Sequence, residues 1–132
     1  MRVRVIVGAA LLIGLFGVGT FTSRAGDVAG SRQWTLVNFQ SPVEVKGELV
    51  MGSVLIVHDS EKMARGEACT TFYRFVPGQG PREALVSFHC QPTQRAAVEQ
   101  TTLSVVDSPR GCKRLTEYQV AGETEAHGIP SK

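Results

Sequence analysis

The chain has 132 residues, with 14 Lys and Arg, 12 Asp and Glu, and cysteines at positions 69, 90 and 112. That length supports one domain. No long basic run, phosphate-cradling glycine loop or C-x-x-C-H stretch occurs, so nucleic-acid binding, nucleotide binding and covalent haem attachment have no footing.

The first element is a leader. Arg2 and Arg4 precede an uncharged apolar run at residues 5–22, and Ser23-Arg24-Ala25 places small residues at −3 and −1 before Gly26. This layout predicts a secretory signal peptide over residues 1–25. The alternative is a hydrophobic helix retained as a membrane anchor, since the run is only just long enough to span a bilayer. Arg2, Arg4 and Arg24 all belong to the leader and none of the 12 acids does, so the remainder carries a net charge of about −1. The apparent basicity is therefore a property of the export signal. The expected location is outside the cytoplasm, periplasmic or extracellular, with membrane contact only through residues 5–22.

From residue 26 to 120 the pattern predicts an all-β domain. In "RQWTLVNFQ", Trp34, Leu36 and Asn38 share one face while Thr35, Val37 and Phe39 share the other. Val43 and Val45 alternate with Glu44 and Lys46, Gly47 permits a turn, Leu49 to Met51 form a short rung, and Gly52-Ser53 breaks it. Val54 to His58 is apolar on both faces, as in a central strand. "CTTFYRF" and "EALVSFHC" predict a hairpin around residues 76–82. Pairing Val76 with Glu83 puts Cys69, Thr71, Tyr73 and Phe75 opposite Cys90, Phe88, Val86 and Ala84 on an apolar face. Residues 92–100 hold the only row of good helix formers. "TTLSVVD" and "CKRLTEYQV" predict a last hairpin, and residues 121–132 lack a core pattern and read as a flexible tail. About seven short strands at this spacing fit a small antiparallel β-sandwich or barrel.

The hairpin register sets Cys69 against Cys90, within reach of a disulfide that would staple the domain. Cys112 is then the odd thiol. His58, His89 and Cys112 are the alternative metal ligands, and a copper site would add Met51 or Met63 as a weak axial group. Against this, His89 and Cys90 are strand neighbours and point to opposite faces. A hydrolase finds little support: no G-x-S-x-G elbow exists, and adjacent His58 and Asp59 do not make a triad. Asp59, Glu61, Lys62, Arg65 and Glu67 form a charged loop that, with the Pro/Gly loop at 77–82, is the expected binding surface.

Three stretches carry a resemblance over residues 35–95: F-x-x-P-V-x-V-x-G-x-L (Phe39, Pro42, Val43, Val45, Gly47, Leu49), then "HD" with "KMARGEACT", then "SFHCQP". They resemble a group of small, exported, uncharacterised bacterial β-proteins. That resemblance implies secretion and a β domain and transfers no active site. The sequence thus predicts a non-enzymatic structural or binding protein of the cell envelope, without a cofactor. Its partner would be a protein, as for a small subunit of an extracytoplasmic assembly. The alternatives are a periplasmic metal-binding or redox module using His and Cys, and a small secreted hydrolase.

Overall fold

The computed structural model describes residues 25–28 and 32–131. The apolar run of the expected leader lies outside them, and among the described residues no helix is long and apolar enough to cross a membrane. In chain order the elements are β1 (Ala25–Val28), β2 (Arg32–Val45), β3 (Glu48–Asp59), α1 (Ser60–Ala64), β4 (Thr70–Val76), β5 (Gly80–Phe88), β6 (Gln91–Gln94), β7 (Thr102–Asp107), β8 (Lys113–Gln119) and β9 (Glu125–Gly128). They form one sheet in the order β5-β4-β3-β2-β8-β9-β6, with β1 added to β2 and β7 to β8.

The all-β class stands, with three corrections. The described strands number nine rather than about seven. The sheet is mixed rather than antiparallel, because β2 runs parallel to β8 at Val43↔Lys113 and Glu44↔Arg114. It is open rather than a closed barrel, with β5 and β6 as its ends.

The long β2–β3 hairpin is the frame. Lys46 and Gly47 both take positive φ, 48° and 86°, the type I′ geometry that matches strand twist in a two-residue turn. Val43 pairs with Val50 and Phe39 with Gly52, so Gln40 to Pro42 bulge out of the ladder. A bulge tolerates Pro42 and bends the strand. Gly52 opposite it adopts φ 85°, the left-handed region glycine reaches most easily. The strand therefore continues through a Gly-Ser pair that the sequence pattern marks as a break. Its inner face carries Thr35, Val37 and Phe39, all buried, with Val54, Ile56 and His58 beside them on β3.

The sheet doubles back so that β8 and β9 lie over β3 and β4. The Tyr118 hydroxyl meets Thr70 Oγ1 at 2.6 Å, and its ring stands edge-on to Phe72 at 6.3 Å. Thr35 and Thr101 share a buried hydroxyl contact of 2.7 Å. Between the layers lie Ile56, Phe72, Phe88, Leu115, Tyr118 and Val120, each at most 3% exposed.

Other expectations change. Bulges in the β4–β5 hairpin give Thr70↔Phe88 and Phe72↔Val86, and the turn tightens to Val76↔Gly80. Thr70 and Phe72 therefore face the core, and Thr71 and Tyr73 face out. Residues 92–100 form no helix: Gln91–Gln94 is β6. The stretch after it is tied down by Arg95 N–H to the Thr124 carbonyl and by Gln119 Nε2 to the Ala96 carbonyl. The predicted tail supplies β9, with Ala126 and His127 buried.

The charged loop contains α1, capped by Asp59, whose carboxylate accepts from the amides of Glu61 and Lys62. Those amides hold its carboxyl below the ordinary range. Asp59→Ala should cost about 1 kcal/mol. Urea unfolding would report the loss, and faster amide exchange at Glu61 and Lys62 would place it at the cap.

Candidate metal centre

His58 ends the apolar run of β3 on its inner face, and α1 begins two residues later. Cys69 follows α1, and its N–H bonds the Phe88 carbonyl as β4 joins β5. Cys90 lies just beyond β5. His127 comes from β9, paired with Tyr118 on β8. The fold-over brings these four together at the seam between the layers, where His58, Cys69, Cys90 and His127 are 1%, 2%, 0% and 2% exposed.

The imidazoles of His58 and His127 stack with centroids 3.9 Å apart, and Tyr118 lies against His127 at 5.0 Å. Burial lowers His58 to about 4, opposed by the Asp59 charge. Burial and the neighbouring His58 lower His127 to about 3. Both rings are therefore neutral at pH 7, with a lone pair on one nitrogen each. His58 Nδ1 lies 2.9 Å from Gln33 Oε1. A carboxamide oxygen only accepts, so His58 carries its proton on Nδ1 and presents Nε2 bare. That Nε2 is the one buried side-chain nitrogen or oxygen without a hydrogen-bond partner among the described residues.

The sulfurs complete the cluster. Cys69 Sγ and Cys90 Sγ are 2.8 Å apart, longer than the bonded length of about 2.05 Å but closer than two unbonded sulfurs sit, so the expected disulfide is not at bonding distance. The proximity behind that expectation is present, but the cysteines are not register partners. Cys90 Sγ also lies 3.5 Å from His127 Nδ1 and 3.7 Å from Met63 Sδ on α1. Burial, then Cys69, pushes the Cys90 thiol up to about 12. Held as a thiol and shielded from solvent, it is poorly suited to thiol–disulfide catalysis, which needs an accessible thiolate.

Two donor groups lie within 4.8 Å mutual reach: His58, Cys69 and Cys90, and His58, Glu125 and His127. A tetrahedral ion with Zn–S near 2.3 Å and Zn–N near 2.0 Å sets its sulfurs about 3.8 Å apart and a sulfur about 3.6 Å from a nitrogen. The Cys90–His127 and Cys90–Met63 separations already match such edges. The Cys69–Cys90 contact must open by about 1 Å, and His127 joins the sulfurs through Cys90.

The predicted metal set does not assemble. His58 belongs to the centre, but His89 is exposed at the end of β5. Cys112 sits in the β7–β8 turn, beside Ser41, Pro42 and Lys113. Met51 is 58% exposed, leaving Met63 as the thioether. His127 is the donor that sequence reasoning missed. In the charged loop, Arg65 is forked onto Glu67 at 2.9 and 3.2 Å and Asp59 caps α1, so Asp59 does not orient His58. The outer face of β2–β4 groups Trp34, Leu36, Leu55, Val57 and Phe75, all half-buried, along a shallow apolar groove.

Fold and site define an all-β protein with a buried His–Cys centre at the seam of a folded-over sheet. No protein-family model, curated protein or solved structure matches the chain. Its functional assignment therefore rests on the site's geometry.

Proposed function

We propose that this protein is an exported metal-binding module that holds one soft transition-metal ion through Cys69, Cys90, His58 and His127. One observation carries the reading: His58 Nε2 is buried and unpartnered, while Gln33 fixes the ring from its other nitrogen. Leaving such a nitrogen unsatisfied costs on the order of 1–3 kcal/mol, and a bound ion removes that cost. An outer partner on the second imidazole nitrogen is the usual companion of a metal-binding histidine. Neutral imidazoles and thiols that release protons on binding suit zinc or copper. The leader at residues 1–25 supports export. The apolar groove around Trp34 and Phe75 supports a protein partner in the envelope.

The 2.8 Å sulfur contact favours a second reading, a structural Cys69–Cys90 staple. One experiment separates the two. Reduced, chelator-treated protein should bind one equivalent of Co(II) with a sulfur-to-metal charge-transfer band in the near ultraviolet. Cys90→Ser should lose that band and weaken binding at least tenfold. Absence of stoichiometric binding, with two of three thiols blocked in exported protein, would establish the staple and end the metal reading.

A further inference from the structure

We infer that the resident ion is monovalent copper, and that Met63 is the ligand that selects it. The inference rests on the metal reading above and goes further by naming the ion. Three observations lead there.

First, Met63 is aimed at the site. Helix α1 is only five residues long, yet it starts directly after the strand that carries His58 and ends just before Cys69. Its one sulfur lies 3.7 Å from Cys90 Sγ, the spacing of two sulfurs sharing one ion. Zinc sites are built from thiolate, imidazole and carboxylate, whereas thioether sulfur is a soft donor suited to Cu(I).

Second, the charges balance. Cys90 as thiolate, Met63 as thioether and His127 through Nδ1 supply one negative charge, which one Cu(I) cancels. A divalent ion on the same three donors leaves a net positive charge in an apolar seam, unless Cys69 gives up its proton as well, and an uncompensated charge there is costly. On binding, the Cys90 proton leaves to solvent as the Cu–S bond forms, and no electron moves. His58 Nε2, otherwise unpartnered, adds a neutral fourth donor, and Cys69 adjoins the set.

Third, Met63 is the donor nearest water. It is half-buried, while the other four donors are at most 2% exposed. An incoming ion meets the thioether first and passes inward by ligand exchange.

The test uses full-length mature protein, reduced, with Cu(I) delivered from a bicinchoninate complex under ascorbate and Zn(II) titrated separately. Wild type should take one equivalent of Cu(I) and hold it far more tightly than Zn(II). Met63→Leu, which keeps the side chain's size, should weaken Cu(I) at least tenfold and change Zn(II) by less than threefold. Its circular dichroism and unfolding midpoint should match wild type. Unchanged Cu(I) affinity, or equal loss for both ions, would overturn the inference and leave the metal reading intact. Failure of wild type to bind either ion would overturn both.

Discussion

Phe72→Ala should destabilise the protein by about 3–5 kcal/mol, whereas Tyr73→Ala, one residue further along β4, should cost only about 1 kcal/mol. Phe72 is fully buried. It packs on Phe88 at 6.0 Å and edge-on to Tyr118 at 6.3 Å, thereby joining the two layers. Truncation removes a ring from the middle of that stack, and neighbours held in paired strands can collapse only partly into the space. Tyr73 faces the opposite side and is half-buried against Leu55, its partner on β3. Urea denaturation of the two variants would read the difference. Equal losses, or the larger loss at Tyr73, would mean that β4 shows its other face to the core.

This pair of substitutions also marks where the sequence could and could not be read. The alternation in β2 correctly put Thr35, Val37 and Phe39 on one face, because no bulge interrupts that half of the strand. The β4–β5 hairpin was misjudged because its two bulges, at Phe72/Tyr73 and Tyr73/Phe75, move the register without leaving a mark in the hydrophobic pattern. A one-residue slip exchanges every inward and outward residue on the strand. "CTTFYRF" offers apolar or neutral side chains to either face, so the pattern could not choose.

The metal centre was half legible for a related reason. His58, Cys69 and Cys90 stand out by residue type, and the hairpin brings the cysteines near each other under either register. His127 was hidden. Its strand has four residues, "EAHG", too short for a period to show, and it gains its place by pairing with Tyr118 and Gln119 rather than by its own propensity. Met63 stood beside Met51 as a weak axial group, but the sequence could not choose between them. Asp59 caps α1, and α1 carries that sulfur to 3.7 Å from Cys90. Contacts set by tertiary pairing leave no trace in local sequence.

Acid should weaken the metal-free protein by about 2 kcal/mol between pH 7 and pH 5, a window above the range where most carboxylates titrate. His58 and His127 fall from the ordinary 6.5 to about 4 and about 3 in the folded chain. Their folded values lie below the unfolded value, so between these limits the unfolded state binds more protons and stability rises with pH. Above about pH 7 both states are neutral and the effect vanishes. Each imidazole at full weight would account for about 2 kcal/mol at pH 5. The two shifts are not independent, because His58 accounts for part of the lowering of His127, and this brings the pair to roughly half their sum. The groups around the rings are Asp59, which favours protonation of His58, Glu125, 3.9 Å from His127 Nε2, and the neutral Cys90 and Tyr118. Urea midpoints at pH 7, 6 and 5 would measure the slope. His58→Phe and His127→Phe should each remove about half of it. A midpoint that stays flat from pH 7 to pH 5 in wild type would show that the two rings are not held neutral against each other at the seam, and would remove the basis for treating them as ready-made ligands.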